Sequence, residues 1–511
     1  MRLVSARVRM FRNIVDSERI VFEPDVTCLV GKNESGKTAV LQALHRLNPA
    51  PAPSSFDELE DYPRWSYVKD RGAGLISQTQ PIVCVFELDD EDVAAVEKEL
   101  GRRVLRSRTL RRAIAYSGEG FIAFDVDEAA ALTHYLESVH TSGDLRSLIK
   151  PGSGPEEVSA GTAFVDGLDE KMQAEAQALA HQVALRFENG SAWGIAKDIL
   201  KPRIPQFFYF SQYETLPGRI DVSKLVSANQ EPGQSGMQAA RALLRLAGAD
   251  QDVLTAQEFE RRKAELEAVS SKLSREVFRY WTQNENLLVE IEADNAVKSD
   301  LERTAFVRYL DVRVRDTRHG YTVNFTQRSS GFQWFFSFLA AFSEFENRGH
   351  GVIVLLDEPA LNLHGRAQAD FLRFINERLA AKSQVIYATH SPFMVESAHL
   401  ERVRIVEDKG IEAGSVVSAD VSTVGADSLL PLQAALGHDI AQNLSLGPDN
   451  TVIEGKPDFT NLQTMREHLT SSEHLTSSEG NGQDRPVQTQ RNREWWRFWD
   501  RDRRAHDGAA S

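Results

Sequence analysis

The sequence predicts an α/β fold with a parallel sheet, and three stretches of the chain support this prediction. Residues 26–30 are an apolar run followed by a glycine-rich loop and an amphipathic helix, whose apolar positions recur at helical spacing: Val40, Leu41, Leu44 and Leu47. Residues 351–356 and 384–388 are further apolar runs of strand length, typical of strands buried on both faces. Buried strands that alternate with helices indicate an α/β architecture.

The glycine-rich loop has the spacing G-x-x-x-x-G-K-T, which is that of a phosphate-binding loop. It consists of Gly31, Lys32, Asn33, Glu34, Ser35, Gly36, Lys37 and Thr38. The glycines allow backbone N–H groups to turn toward phosphate oxygens. Lys37 would supply a positive charge to the β and γ phosphates, and the Thr38 hydroxyl would bind Mg²⁺. We therefore expect ATP and Mg²⁺ as cofactors.

A pair of acidic residues follows the second apolar run. Residues 352–356 lead into Asp357 and Glu358, at the strand edge where open α/β sheets bind ligands. Asp357 is expected to hold Mg²⁺, directly or through water. Glu358 is expected to orient or deprotonate the attacking water. Capping of the next helix is the alternative role for these two carboxylates.

Two shorter motifs are ambiguous when each is taken alone. Ser329-Ser330-Gly331 precedes a helix rich in aromatic residues, which we interpret as core packing; the motif fits either an anion site or an ordinary helix cap. His390 follows the run 384–388 and could bond a γ-phosphate or serve as a turn or core residue.

Taken in order, these four elements resemble the ATPase heads of the RecF and structural-maintenance-of-chromosomes class. Over about residues 1–460 the chain is most similar to the OLD (overcoming lysogenisation defect) family of ATP-dependent nucleases. Three further stretches match that family: Arg9-Met10-Phe11-Arg12-Asn13-Ile14, Asp61-Tyr62-Pro63-Arg64 and Phe208-Tyr209-Phe210. The resemblance implies a P-loop ATPase of ABC/RecF type that acts as a dimer or larger oligomer.

The resemblance also implies roles for individual residues. Arg12 belongs to the nucleotide-binding set, and Ser330 with Gly331 grips the γ-phosphate of ATP bound to a second subunit. His390 is the switch histidine. The loop facing the partner is Leu361-Asn362-Leu363-His364, and Gly365 replaces the usual following proline. For the glutamine of the Q-loop, Gln78 and Gln80 both remain open.

Glu454 lies in the stretch Val452–Asp458, which looks like the first strand and glutamate of a Toprim nuclease domain. Such domains combine one glutamate with a later Asp-x-Asp to bind Mg²⁺. Only 57 residues follow Glu454, and the available Asp500-Arg501-Asp502 lacks a buried strand. We expect a truncated, vestigial metal site, so endonuclease activity is doubtful for this chain, and a separate nuclease or effector is a possible partner.

Composition divides the chain into five expected parts. These are an N-terminal ATPase lobe (1–100), an inserted, mainly helical subdomain (101–285), a C-terminal ATPase lobe (286–420), a linker with the Toprim-like stub (421–470) and a low-complexity tail (471–511). The tail contains the unit Glu-His-Leu-Thr-Ser-Ser in tandem within residues 467–478. Residues 49–74, rich in Pro, Ser, Asp and Glu, are expected to form a loop.

The net charge is −15, which argues against a protein that coats nucleic acid with its whole surface. Residues 101–112 nevertheless contain six arginines and no acid, so they are either a solvated strand face paired with nearby acids or a DNA contact. The Trp- and Arg-rich residues 491–504 could stack on single strands or be an out-of-frame tail. We expect DNA as a partner.

Other features limit the cellular setting. No stretch approaches the roughly 18 consecutive apolar residues of a membrane span, and the N-terminus lacks a signal-peptide pattern. Cys28 and Cys84 lie in apolar runs without a CxxC motif, which predicts two buried, reduced thiols. We therefore expect a cytoplasmic protein with no membrane partner.

The sequence thus predicts an ATP-hydrolysing head that acts in DNA processing, repair or phage defence. One alternative is a nucleotide-gated dimerising scaffold or sensor for a separate nuclease, without significant turnover. A second is the ATPase subunit of a transporter, which the long 101–285 segment and the Toprim-like stub argue against.

Overall fold

A computed structural model describes residues 1–50, 54–139, 146–187, 191–211, 215–221, 239–242, 267–272, 274–275, 279–281, 284, 286–300, 303–343, 351–361 and 363–420. The features predicted beyond residue 420, including the Toprim-like Glu454, the tandem repeat and the Trp- and Arg-rich tail, lie outside the described residues. Asn362 also lies outside them.

The described strands, in chain order, are β1 (Arg2–Phe11), β2 (Ile14–Asp16), β3 (Ile20–Val21), β4 (Val26–Val30), β5 (Pro49–Ala50), β6 (Ile82–Glu87), β7 (Thr109–Ile114), β8 (Gly120–Ala123), β9 (Gln206–Ser211), β10 (Arg219–Asp221), β11 (Leu287–Asp300), β12 (Arg303–Asp316), β13 (Tyr321–Asn324), β14 (Val352–Asp357), β15 (Val385–Thr389), β16 (Val403–Asp408) and β17 (Ser415–Ser418). The α-helices are α1 (Lys37–Leu47), α2 (Glu58–Asp61), α3 (Arg64–Gly72), α4 (Asp90–Leu100), α5 (Glu128–Ser138), α6 (Pro155–Ser159), α7 (Glu170–Arg186), α8 (Ala192–Leu200), α9 (Ser330–Ser343) and α10 (Gly365–Phe374).

The central sheet has the order β17-β16-β4-β15-β14-β9-β5. Its strands pair in parallel except at β17, which is antiparallel to β16. Parallel pairing places the carboxyl ends of β4, β9, β14 and β15 along one edge. The α/β architecture with a buried parallel sheet is therefore confirmed.

Both faces of this sheet are covered by packed side chains. Val354 and Leu356 of β14 belong to one hydrophobic cluster, and Ile353 and Leu355 belong to another. This alternation is the two-residue period of a strand. Apolar residues of α1 cover the second face, whereas the aromatic residues of α9 pack in the first cluster. The aromatic stripe of α9 is therefore core packing, as predicted.

A second, antiparallel sheet has the order β2-β1-β6-β7-β8, with β3 also paired to β1. It joins strands of the expected N-terminal lobe to β7 and β8 of the expected insertion. The arginine-rich segment, residues 101–112, ends within β7, in which Leu110 and Ala113 are buried and Arg111 is exposed. A third sheet consists of β10 to β13. The expected insertion, residues 101–285, contains strands β7 to β10 as well as helices α5 to α8.

Residues 49–74 differ most from the sequence prediction, because they form β5, α2 and α3 instead of a loop. The residues that indicated a loop are here the caps of helices. The Asp57 carboxylate accepts hydrogen bonds from the N–H groups of Leu59 and Glu60, and Pro63 precedes α3. Cys28 and Cys84 are buried and unbonded to each other, as predicted.

Candidate active site

A cavity of about 320 Å³ opens at the carboxyl edge of the central sheet. It lies where β4 passes into the phosphate loop and where β14 ends at Asp357. The residues lining it are Arg12, Asn13, Asn33, Glu34, Gly36, Lys37, Thr38, Ala39 and Glu358. The structure thus brings together the phosphate loop, the arginine turn and one of the two predicted carboxylates.

The two glycines of the phosphate loop are required by close packing. Gly36 has φ +103°, and a Cβ there would lie 2.6 Å from the Ser415 Oγ of β17. A Cβ on Gly31 would collide with the carbonyl oxygen of Val406 in β16. The β16–β17 hairpin therefore packs directly against the phosphate loop. Asn13 links the two, because its side-chain amide donates to the Glu34 carbonyl of the loop (3.3 Å) and to Ser415 Oγ of the hairpin (2.9 Å).

Lys37 lies inside the ring formed by its own loop. Its Nζ donates to the carbonyl oxygens of Gly31 (2.9 Å) and Lys32 (2.8 Å) and lies 3.6 Å from Glu358 Oε1. Burial lowers the pKa of Lys37 from its ordinary value, and the nearby carboxylates Glu358 and Asp357 oppose this effect. The Lys37 ammonium group thus lies at the position where the motif predicts phosphate oxygens.

Thr38 and Asp357 form the predicted metal-binding pair. The Thr38 hydroxyl donates to Asp357 Oδ1 (3.0 Å), and the Tyr209 hydroxyl donates to Oδ2 (2.8 Å). Burial raises the pKa of Asp357, while these two hydrogen bonds lower it. A hydroxyl and a carboxylate are the hard oxygen ligands that suit Mg²⁺ when phosphate and water complete its shell. The residues present therefore fit a magnesium-nucleotide complex.

Glu358 contacts the predicted switch histidine. Glu358 Oε2 lies 2.8 Å from His390 Nδ1 and accepts a hydrogen bond from the backbone N–H of His390 (3.3 Å). Its backbone has φ +49°, and Ala360 has φ +59°, an uncommon conformation for residues with a Cβ. The sharp turn after β14 aims the Glu358 side chain at the cavity, next to Lys37.

The Ser-Ser-Gly motif does not line this cavity. Ser329 and Ser330 are exposed where α9 begins, and Ser329 Oγ accepts a weak hydrogen bond from the N–H of Phe332 (3.4 Å). The capping role is thus present, and the exposed hydroxyls face away from the chain's own core. Gln78 and Gln80 also do not line the cavity, so the Q-loop glutamine stays unassigned.

The segment expected to face a partner subunit continues into α10. His364 is the N-cap of this helix, and its Nδ1 accepts from the N–H of Ala367 (3.4 Å). A Cβ on Gly365 would lie 2.9 Å from the ring of Phe393. A side chain at position 365 would therefore require the Phe393 ring to move.

Arg12 is held at the rim of the cavity by Asp61, a fully buried carboxylate. Arg12 donates its backbone N–H to the Asp61 carbonyl (2.6 Å) and its Nε to Oδ1 (3.4 Å). Arg46, in the last turn of α1, forms an ion pair with Oδ2. The Asp61-Tyr62-Pro63-Arg64 stretch therefore connects the arginine turn to the helix of the phosphate loop.

We expect Asp61→Ala to destabilise the fold by about 3 kcal/mol, because it leaves Arg46 and Arg12 without their shared buried partner. Denaturant unfolding measures this loss. Asp57→Ala is the matched control, since Asp57 caps α2 and its removal should cost about 1 kcal/mol. Equal, small losses in both variants would show that the Asp61 cluster is not a structural anchor.

Tyr209 is the site residue that the sequence reasoning missed. It was noted only as part of Phe208-Tyr209-Phe210, without a role. The one signal for a site residue was a single hydroxyl in a run of aromatic residues. The sequence does not reveal that this strand lies beside β14. Asn13 and Ser415 were missed for the same reason, because their contact joins residues 402 positions apart.

Among the described residues, no group of three or more His, Cys, Asp and Glu side chains could hold a metal ion. No helix in the described ranges is long and apolar enough to cross a membrane.

Two family models match this chain. The model described as "AAA ATPase domain" matches residues 1–100, and that described as "AAA domain, putative AbiEii toxin, Type IV TA system" matches residues 282–396. Together they span the phosphate loop, the Ser-Ser-Gly motif, Asp357, Glu358 and His390. The chain thus contains an AAA-type α/β ATPase domain whose two halves are separated in sequence.

Similar proteins add little detail beyond this. An uncharacterized protein of Methanocaldococcus jannaschii, MJECL43, is 32% identical over 126 residues, which is 23% of this chain and 32% of that protein. The match therefore covers about a third of this curated relative. Solved structures include an Smc head bound to the C-terminal winged-helix domain of ScpA (12% identity, TM-score 0.39, 82% of this chain and 97% of that one) and the SMC head domain from Thermotoga maritima (14%, 0.34, 82% and 98%). Their TM-scores are below 0.5, so these structural similarities are too weak to support a conclusion about this chain.

Proposed function

We propose that this chain is an ATPase head of ABC/RecF type that hydrolyses the γ-phosphate of ATP with Mg²⁺. The observation that carries the proposal is that Lys37 and Thr38 meet Asp357 and Glu358 at one edge of the sheet. The two pairs are more than 300 residues apart in sequence. An AAA-type domain match over both halves of the motif set supports it.

Each side chain has a separate task in this proposal. Lys37 exchanges its loop carbonyl partners for phosphate oxygens, and the loop N–H groups bind the same phosphates. Thr38 and Asp357 would hold Mg²⁺, which would supply positive charge to neutralise the phosphates. Glu358 accepts the proton of the attacking water, and His390 keeps the Glu358 carboxylate aimed at the cavity.

The proposed active form is a pair of heads. The support is that Ser330 and Gly331 begin a long helix, are located away from their own cavity, and leave the serine exposed. A helix N-terminus of this kind binds anions, and the OLD-like resemblance assigns it to ATP held by a second subunit.

Phosphate release at increasing protein concentration tests this arrangement. We expect the rate per chain to rise with concentration and then reach a plateau, because a head without its partner has an incomplete site. A measurable rate per chain that stays constant over the same range would contradict association, and no ATP-dependent phosphate release at any concentration would contradict the ATPase proposal.

A nucleotide-gated scaffold without turnover is the second candidate. Glu358 lies 3.6 Å from Lys37 and 2.8 Å from His390, so this carboxylate already has partners where ATP hydrolysis would require it to accept a proton from water. ATP-dependent association without phosphate release would favour the scaffold. Phosphate release that accompanies association would favour the ATPase.

DNA is the proposed partner, and the proposed role is DNA processing, repair or phage defence, for which the OLD-like resemblance is the support. A separate nuclease would supply cleavage if the Toprim-like segment around Glu454 is incomplete. The arginine-rich stretch before and within β7 is the candidate contact, although Arg106 pairs with Asp127 (3.4 Å) and Arg108 with Asp90 (2.7 Å). These exposed pairs are weak and can exchange for phosphates.

We expect Arg106→Glu combined with Arg108→Glu to weaken DNA binding and to flatten its dependence on salt. Each lost phosphate contact lowers the slope of log K against log[salt] by about 0.9 for duplex DNA. Fluorescence anisotropy across a salt series measures this. Asp90→Asn with Asp127→Asn is the control, because it frees both arginines and should not weaken binding. An unchanged slope in the arginine variant would identify the segment as a solvated face.

A further inference from the structure

Packing alone does not account for the hydroxyl group of Tyr209. Its neighbours in β9 are Phe207, Phe208 and Phe210, all fully buried, and a phenylalanine at position 209 would fill the same space. Tyr209 itself is partly buried, and a tyrosine hydroxyl that is withdrawn from solvent needs a hydrogen-bond partner. The partner here is Asp357, whose Oδ2 accepts from the Tyr209 hydroxyl at 2.8 Å.

Strand register brings these two residues onto one face of the sheet. In the parallel pair β9–β14, Tyr209 is opposite Leu355, and Ser211 is opposite Asp357. Leu355 and Asp357 are two residues apart and share a face. Tyr209 therefore lies diagonally behind Asp357, on the side covered by α1, and its ring packs 5.6 Å from the ring of His45. Burial lowers the pKa of His45 to about 4, so this packing partner is neutral.

The contacts of Asp357 fix the plane of its carboxylate. Thr38 donates to Oδ1 and Tyr209 donates to Oδ2, so each oxygen has one hydroxyl donor. The two donors stand on different elements, α1 and β9. Removal of the hydroxyl at 209 would leave Oδ2 without its donor and free the carboxylate to rotate about its side-chain bonds.

We propose that Tyr209 is a positioning residue that holds Asp357 in the orientation required to bind the magnesium of the nucleotide complex. This inference rests on the proposed ATPase function, since Asp357 is a metal-holding residue only there. It goes beyond that function by assigning a third residue, on a strand outside the known motifs, to the magnesium site. Loss of such an outer partner reduces metal affinity by about 10- to 100-fold in comparable sites.

The test compares Tyr209→Phe with Tyr387→Phe in the full chain. Tyr387 lies in β15, two strands from β9 in the same sheet, is fully buried, and donates its hydroxyl to the Met394 carbonyl oxygen (2.7 Å). It serves as the control because its variant also loses one hydroxyl that donates a hydrogen bond within this sheet, and that hydroxyl bonds Met394 instead of Asp357. Thermal unfolding should show comparable losses of stability for both.

The decisive readout is binding of a fluorescent ATP analogue titrated with MgCl₂ and repeated in EDTA. For Tyr209→Phe we expect the Mg²⁺ midpoint to rise about 10- to 100-fold, with affinity in EDTA unchanged, because the phosphate loop is intact. Tyr387→Phe should match the wild type. In an Asp357→Asn background, Tyr209→Phe should cause no further shift, since it acts through that carboxylate.

Three results would overturn the inference in distinguishable ways. An unchanged midpoint in Tyr209→Phe, with Mg²⁺-dependent binding in the wild type, rejects the role of Tyr209 alone. An equal shift in Tyr387→Phe shows general loosening of the sheet. A wild type that binds no nucleotide with or without Mg²⁺ rejects the proposed function itself.

Discussion

Lys37→Ala is expected to abolish ATP binding. The Lys37 ammonium lies within its own loop, next to the carbonyl oxygens that phosphate oxygens would replace as partners. Each hydrogen bond from a charged group contributes about 1.5–3 kcal/mol, so the loss of two corresponds to a fall in affinity of about 100-fold or more. Calorimetric titration with ATP and Mg²⁺ measures it.

Lys32→Ala is the matched control for this experiment. It removes the same charge from the same loop, but the Lys32 side chain is exposed and its backbone N–H and carbonyl remain. We expect a much smaller loss of affinity. Near-wild-type ATP binding in a folded Lys37→Ala variant would show that the loop does not bind phosphate.

Glu358→Gln is expected to retain ATP, stop its hydrolysis and trap paired heads. The amide has the shape of the carboxylate but cannot accept the proton of the attacking water. It also removes the negative charge that lies 3.6 Å from Lys37, which leaves Lys37 available to the phosphates. Light scattering with ATP should detect the dimer, and a phosphate assay should detect no turnover.

The histidine beside Glu358 provides the comparison. His390→Ala removes the contact at 2.8 Å but leaves the carboxylate in place, so turnover should fall less than in Glu358→Gln. Hydrolysis at the wild-type rate by Glu358→Gln would exclude Glu358 as the base and would require another acceptor for the proton.

The sequence predicts this site well where a motif is local. The phosphate loop, its helix and the strand before Asp357 each depend on a contiguous run of residues, and the structure contains all three. Their convergence followed from one general property, namely that parallel strands end at a common edge. For His390 the residues alone left two roles open and the family resemblance implied the switch histidine; the structure has it beside Glu358.

The sequence fails where contacts are distant or where polar composition is ambiguous. The same Asp and Pro that are typical of loops occur here at helix starts, where Asp57 caps α2 and Pro63 precedes α3, and Asp61 at the end of α2 pairs with Arg46. The pairing of β9 with β14 joins segments about 150 residues apart, so nothing local identifies Tyr209 as the partner of Asp357. These contacts depend on tertiary packing, which overrides local preference.

The central claim is that ATP is hydrolysed at a site shared by two heads, and mixing two inactive variants tests it most directly. Lys37→Ala removes the phosphate charge from one half-site. Ser330→Glu places a negative charge at the exposed start of α9, where a helix tolerates an acid but a γ-phosphate would be repelled.

Each variant alone should be inactive, and an equal mixture should recover about a quarter of the wild-type rate, because half of the dimers are mixed and each of these has one intact site of two. Phosphate release from the mixture is the measurement. A Ser330→Glu variant that hydrolyses ATP at the wild-type rate by itself, or a mixture that recovers nothing, would contradict the shared site.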